Sequence, residues 1–411
     1  MKAKKSDTVN NIIESVEGVA FKNQNLKKQI LSYFVHSGNT TISELCKSLN
    51  FSAPKISEIL VELQEEGLVK DYGKSEDATV GRRPNIYGLK PNSVFFVGVD
   101  VKKFHVNLGV LDLKNNFVKR VDRLPFQLKN TEESLVHLCD IITEFLLENN
   151  QIKDKIVGIG INLSGRINYK SGYSYSYYNF SEEPLSRIIE SKVGLPVYLE
   201  NDSRAMAYGE FMMGDVGHEK DVLYVNMDYG IGLGVMINGQ LYYGKSGFAG
   251  EFGHIHVFDN EVICHCGKKG CLETEASGDA LVKMFNKRVE EGETTRLQKM
   301  SNKNGIYLLN DIIQAANDDD ILAIECISEI GEKLGKGIST LINLFNPELV
   351  ILGGALSESG AYIRLPVKST IFKYSLSLVS NETKLIMSKL GELSGLYGAC
   401  LLVRNRFFEF E

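Results

Sequence analysis

Apolar residues first fall into step between Leu26 and Val35, where Leu26, Ile30, Leu31, Phe34 and Val35 share one helical face. Ser37-Gly38-Asn39 ends that run. Thr41-Ile-Ser-Glu44 has the spacing of a capping box and opens a short helix through Leu49. After a tight turn at Asn50-Phe51, Ser52 is placed to cap a third helix, with Pro54 in its first turn and Gly67 as its stop. Ile56, Ile59, Leu60 and Leu63 form the buried stripe of that helix. Helix, short helix, turn, helix is the helix-turn-helix order. The period then changes. Leu68 to Tyr72 and residues 82–89 read as two strands around a loop from Gly73 to Gly81, a hairpin that forms the wing of a winged helix.

Past Pro91-Asn92, which reads as a linker, apolar runs alternate with helical stretches. Strands are expected from Val94 to Asp100, His105 to Leu113, Ile156 to Leu163 and Val197 to Leu199, with helices at Thr131 to Glu148, Leu185 to Val193 and Ser203 to Met212. A second block starts with strand Asp221 to Met227, a hairpin through Gly239 and Gly244, and a late strand running into Gly353-Gly354. This alternation predicts an α/β fold with a parallel or mixed sheet. Glycines after strands allow backbone to approach a ligand, and hairpin turns use them as often.

At 411 residues the chain is long enough for two or three domains. No apolar run reaches the length of a membrane span, and no signal-peptide pattern follows the Lys-rich start. Seven cysteines, three of them clustered, suit reduced thiols and a metal site in a cytoplasmic protein better than a disulfide framework. Residues 1–90 hold 13 Lys and Arg against 11 Asp and Glu, whereas the whole chain carries a net charge of −6. That mild asymmetry favours nucleic acid as the partner of the front end. Ser52, Ala53, Lys55 and Ser57 at the start of the third helix would face base edges in a major groove. Arg82 and Arg83 at the wing tip would meet the minor groove or the phosphates. A small helical domain serving protein contacts is the alternative.

The densest chemistry lies between Glu251 and Glu273. His254, Cys264, Cys266 and Cys271 offer the four ligands that a tetrahedral zinc takes, and Glu251 and Glu273 bracket them. The spacing predicts a metal-stapled loop built into a ligand site.

Together these features resemble the ROK family of sugar kinases and sugar-responsive repressors, over essentially the whole chain. The resemblance is carried by Gly250-Glu251-Phe-Gly-His254, Cys264-x-Cys266-Gly-x-x-Gly-Cys271-Leu-Glu273, Glu200-Asn201-Asp202, Gly230-x-Gly232-x-Gly234 and Gly353-Gly354. The winged helix resembles the family's regulator branch. The implied fold is a two-lobed, actin-like (RNase H-like) sugar-kinase fold behind the winged helix, with the sugar between the lobes. On that plan residues 1–21 are an extension, 22–90 the winged helix, 91–205 the first lobe and 206–411 the second, whose last helix returns to the first lobe. The resemblance implies a structural zinc on His254, Cys264, Cys266 and Cys271, leaving His265 at the surface. It implies sugar binding by Asn201, Asp202, Glu251, His254 and Glu273, with His254 reaching both metal and sugar. A helix cap is the other role open to Asn201-Asp202. Ser164-Gly165-Arg166 and Tyr173, Tyr175, Tyr177 and Tyr178 lie where the specificity loop belongs, the tyrosines either stacking on sugar or packing the loop.

Phosphoryl transfer needs a phosphate cradle as well as a base. Asp202 matches the kinase base. In the family's kinases, however, the aspartate ending the first strand precedes two glycines and a threonine. Here Asp100 precedes Val101, Lys102, Lys103 and Phe104, and Asp228-Tyr229-Gly230 stands where kinases carry Gly-Thr-Gly. The expected function is therefore a transcriptional regulator, a repressor of carbohydrate-utilisation genes, with no catalytic residue and no ATP requirement. Its partners are double-stranded operator DNA and a monosaccharide effector, and it acts as a homodimer or homotetramer away from membranes. A working sugar kinase with a DNA-binding appendage, and a regulator governed by a protein partner, are the competing classes.

Overall fold

A computed structural model of the chain describes residues 19–74, 83–297 and 306–408. The front unit comprises α1 (Val19–Ser37), β1 (Thr40–Thr41), α2 (Ile42–Leu49), α3 (Ala53–Glu65), β2 (Val69–Lys74) and β3 (Asn85–Leu89). The capping box is present: Thr41 Oγ1 accepts from Glu44 N, and the Glu44 carboxylate receives Thr41 N. Ser52 occupies the N-cap of α3 without a side-chain cap bond, and Pro54 sits in the first turn. β3 pairs antiparallel with both β2 and β1. α1 opens at Val19, within the expected extension.

Two five-stranded sheets follow. The first uses β4 (Phe95–Val101), β5 (His105–Asp112), β6 (Phe117–Pro125), β7 (Ile156–Leu163) and, after a small β8 (Ile167–Asn168) and β9 (Tyr173–Ser174) ladder, β10 (Val197–Asn201). α4 (Glu132–Glu148) and α5 (Leu185–Val193) cover its outer face, and α6 (Asp202–Met213) leads away from it. The second sheet uses β11 (Val222–Met227), β12 (Ile231–Ile237), β13 (Gln240–Leu241), β14 (Leu349–Gly353) and β15 (Lys384–Met387). Between and after its strands come α7 (Glu273–Ala276), α8 (Gly278–Glu290), α9 (Leu309–Asn317), α10 (Ile321–Phe345), α11 (Ala361–Tyr374), α12 (Ser377–Glu382) and finally α13 (Leu393–Phe408).

The orders β10-β7-β4-β5-β6 and β15-β14-β11-β12-β13 are one topology used twice. In each, the first strand pairs antiparallel with the second and parallel with the fourth. Repetition of one topology around a cleft is the architecture of the two-lobed kinase fold. The hairpin β12–β13 turns at Asn238-Gly239, both at positive φ, as a two-residue hairpin requires.

Three cores hold the molecule. One lies under α4 and α5, a second between the other sheet and α7 to α11, and a third runs through α6 and α13. α6 and α13 pack together so closely that neither Gly209 nor Gly398 has room for a Cβ. The third core also takes in Leu26, Ile30 and Leu63 of the front unit, joined through Val94, Phe96, Phe407 and Phe408. The expected boundary at 205/206 falls within α6, which packs with α13 in the layer between the sheets.

Candidate functional site

A cavity of about 580 Å³ opens between the lobes, within the size range of small-ligand sites. Asn201, Asp202, Glu251, His254 and Glu273 all line it. Asn201 is the N-cap of α6: its Oδ1 accepts from Arg204 N at 3.0 Å, and its Nδ2 donates to Gly165 O at 3.0 Å. The cap role raised for this residue is real, and it fixes the loop after β7 against the cavity. Asp202 Oδ2 accepts from Ser164 Oγ at 2.6 Å, while Oδ1 takes Ser203 N at 2.7 Å. Behind them Glu200, 2% exposed, binds Arg204 at 2.8 Å, Tyr243 at 3.1 Å and Arg406 of α13 at 3.2 Å. These buried charge-assisted bonds hold the strand end that presents Asn201 and Asp202.

On the other side, the ring nitrogen Nδ1 of His254 lies 3.6 Å from Cys264 Sγ, and Cys266 Sγ lies 3.7 Å from Cys271 Sγ. All four ligand atoms fall within 4.8 Å of one another. Zinc–thiolate bonds of about 2.3 Å separate tetrahedral ligands by roughly 3.8 Å, so the set fits a closed zinc site. Burial pushes the Cys271 thiol up to about 12, so a metal entering here must displace a proton. His254 Nε2 points away from the sulfurs, 3.9 Å from a Glu251 oxygen. Glu273 Oε2 accepts from Ile231 N at 3.0 Å, and a Cβ on Gly230 would come within 2.7 Å of it. Its other oxygen pairs with His265 Nδ1 at 3.0 Å. His265 is solvent-exposed, as expected, yet it lines the cavity.

The strand-end glycines read differently in three dimensions. Gly232 and Gly234 face Ser203 and Ala207 of α6, Gly353 faces the Tyr224 ring, and Gly354 faces Asn226. The close approach they allow is to the protein's own elements. The β4–β5 turn carries larger changes. Lys102 folds inward with Nζ 3.3 Å from Asp100, whereas Lys103 Nζ lies 3.1 Å from Asp279 and 4.1 Å from the Tyr229 ring centroid. Phe104 meets the same ring edge-on at 5.3 Å. Burial raises the Asp228 carboxyl, with Lys102 opposing the shift.

Leu128, Asn226 and Asp279 join the cavity wall through folding alone; no motif spacing marks them. Tyr177 lines the cavity, its hydroxyl raised by burial and then by Asp202, Asp279 and Glu273. Tyr178, by contrast, is buried against Ser134 at 2.9 Å and packs its loop. In the front unit, Ser52 and Ala53 are exposed at the head of α3. Lys55 pairs with Glu58 at 2.9 Å, and Ser57 Oγ donates to Ala53 O. Arg83 is exposed at the foot of β3, and Arg82 lies outside the described residues.

Known proteins share this plan. A xylose repressor of Caldicellulosiruptor bescii is 31% identical over 94% of this chain and 98% of its own. A glucokinase of Halalkalibacterium halodurans is 29% identical over 76% of the chain and 96% of its own. The crystal structure of a ROK family transcriptional regulator, a homologue of the Escherichia coli MLC protein, superposes with a TM-score of 0.79 at 25% identity, covering 94% of this chain and 97% of that one. A ROK family glucokinase from Streptomyces griseus, solved with glucose and AMPPNP, gives 0.67 at 28% identity over 76% of this chain and 99% of its own. The ROK family pattern itself matches residues 96–406. On that match, and on a full-length relative above 30% identity, the chain belongs to the ROK family.

Proposed function

We propose that this chain is a sugar-responsive DNA-binding repressor of carbohydrate-utilisation genes that no longer transfers phosphate. One contrast carries this reading. Asn201, Asp202, Glu251 and Glu273 converge on a wall that could receive hydroxyls, while at the β4–β5 turn, where phosphates would have to meet bare backbone, Lys102 turns onto Asp100 and Phe104 packs edge-on against Tyr229. Carboxylates accept strong hydrogen bonds from sugar hydroxyls in such a cleft. A structural zinc on His254, Cys264, Cys266 and Cys271 would staple the loop carrying Glu251 and Glu273; the metal would add rigidity and no chemistry.

The front unit supports the DNA half. The start of α3, with Ser52, Ala53, Lys55 and Ser57, would enter the major groove, and Arg83 with Arg82 would grip the backbone beside it. That relatives spanning 93% or more of the chain include xylose repressors agrees with this, since the glucokinases match only about three quarters of it. In a homodimer, sugar-driven closure of the lobes would alter the spacing of two winged helices. Half-site geometry is strict, so a small rotation would cost several kcal/mol, roughly, of specific binding.

Fluorescence anisotropy on an operator found by selection from random DNA tests this. D-xylose or D-glucose is expected to shift operator affinity at least tenfold in the wild type and not in Asp202→Asn. Unchanged operator affinity with every monosaccharide, or ATP-dependent phosphorylation of one, would sink it.

A further inference from the structure

Lys102 is the most unusual charged residue of the cleft. It leaves the end of β4, and the backbone turn that carries it closes through Lys102 N to His105 O at 2.9 Å. Only 11% of its side chain is exposed. Its ammonium lies 3.3 Å from Asp100 and 3.5 Å from Met206 Sδ, and it lines the cavity together with Asp202 and Asp228. Asp100 is fully buried, and neither of its oxygens accepts a hydrogen bond among the described residues. A buried carboxylate without hydrogen bonds needs a counter-charge, and Lys102 is the cation placed to supply it.

The surrounding charges define what else fits. Asp202, Asp228, Glu251, Glu273 and Asp279 line the cavity. Among the lining cations, Lys103 is held by Asp279 and Tyr229, Arg204 is buried on Glu200, and Arg166 is exposed at the rim. A phosphorylated ligand would therefore bring further negative charge to a wall whose inner cation is already taken.

We propose that Lys102 is a built-in counter-cation for Asp100 and for the Asp202 and Asp228 carboxylates that line the cavity beside it, so that the cavity takes uncharged monosaccharides and excludes both divalent metal and sugar phosphates. Burial by itself would lower the Lys102 pKa. The attraction of Asp100, then Asp228 and Asp202, outweighs it and holds the amine protonated well above its ordinary range. Lys103 and Phe104, next in the chain, reach across to Asp279 and Tyr229 on the facing lobe. The ligand-class half rests on the sugar reading above. The counter-cation half does not.

The experiment uses full-length, zinc-loaded protein. Manganese titration followed by electron paramagnetic resonance should find one added site in Lys102→Ala and in the near-isosteric Lys102→Met, binding at least tenfold tighter than in wild type. Lys102→Arg, which restores the charge, should exclude manganese again. A merely structural lysine would not give that rescue. In parallel, calorimetry on wild type with D-glucose, D-xylose and glucose 6-phosphate should show the phosphate ester at least tenfold weaker than its parent sugar. Manganese binding that is equal in wild type and both neutral variants overturns the counter-cation. Glucose 6-phosphate binding as tightly as glucose overturns the ligand class. Failure of every sugar to bind would count against the sugar reading, while the manganese result still decides the role of Lys102.

Discussion

Single residues in this chain are set by what surrounds them more than by their identity. Asp202 and Asp228 both line the cavity, but Asp202 is tied by Ser164 and Ser203 whereas Asp228 is held up by burial. His105, at the start of β5, shows the same dependence. Burial lowers its pKa, opposed by Glu392 and reinforced by Arg123 and Lys102, and its Nε2 finds no hydrogen-bond partner among the described residues. The sign follows from linkage. An unfolded histidine binds a proton near pH 6.5, whereas folded His105 resists it, so its stabilising contribution is full above that pH. It fades as the pH falls below about 6.5 and is gone below the folded value. Thermal melts from pH 7.5 to 5 should show the wild-type melting temperature declining more steeply than that of His105→Gln. Equal slopes would mean that His105 is not the group responsible.

At the scale of elements, the sequence was legible where a cap or a strict period marked the ends. The capping box at Thr41-Glu44 and the runs 156–163 and 185–193 became α2, β7 and α5 with the expected limits. β6 escaped notice because its residues are mostly exposed, so no buried alternation marks it. α9 to α11 pack into the second core on patterns that a turn-by-turn reading passed over. In the site, the four candidate metal ligands and the acids beside them were visible because they are close in sequence. Lys102 was visible as an obstruction to phosphate, but its inward turn onto Asp100 depends on β4 and α6 coming together. The spaced glycines of β12 proved to be a contact between elements, and so is Gly398 of α13, whose missing Cβ leaves space for the backbone of Ala205. Gly398→Ala would gain about 1 kcal/mol of helix propensity. Overpacking a tight crossing costs about 1–3 kcal/mol, and the obstacle here is backbone, which cannot rotate aside. At the upper end of that cost, which a backbone obstacle calls for, the variant should be less stable by roughly 2 kcal/mol in urea unfolding. A more stable protein would show that α6 and α13 have slack.

For the whole molecule, what matters is that the front unit and the cleft share one core. Leu26, Ile30 and Leu63 belong to the same buried cluster as Phe96, Phe407, Phe408 and the helices α6 and α13. Phe96 meets Phe407 and Phe408 edge-on at 6.5 and 6.3 Å. Lys114, in the β5–β6 turn, lies 4.3 Å from the ring centroid of Tyr72 on β2 and 3.4 Å from Asn39. α6 begins at Asp202 on the cavity wall, and Arg406 near the end of α13 binds Glu200 behind that wall. A ligand that moves α6 relative to the second sheet would thus bias the layer on which the front unit rests. Such coupling is a free energy shared between two sites, so it must act equally in both directions. If a sugar weakens operator binding by some factor, saturating operator must weaken sugar binding by the same factor; a coupling of about 1.4 kcal/mol makes that factor ten. Calorimetric titration of the sugar into free protein and into the protein–operator complex measures one side, and anisotropy with and without sugar measures the other. Arg406→Leu, which removes the link between α13 and Glu200, should shrink both factors together. Were the two wild-type factors to differ beyond error, two-site linkage within one shared core would be the wrong description, and the sugar would have to act through a change in assembly instead.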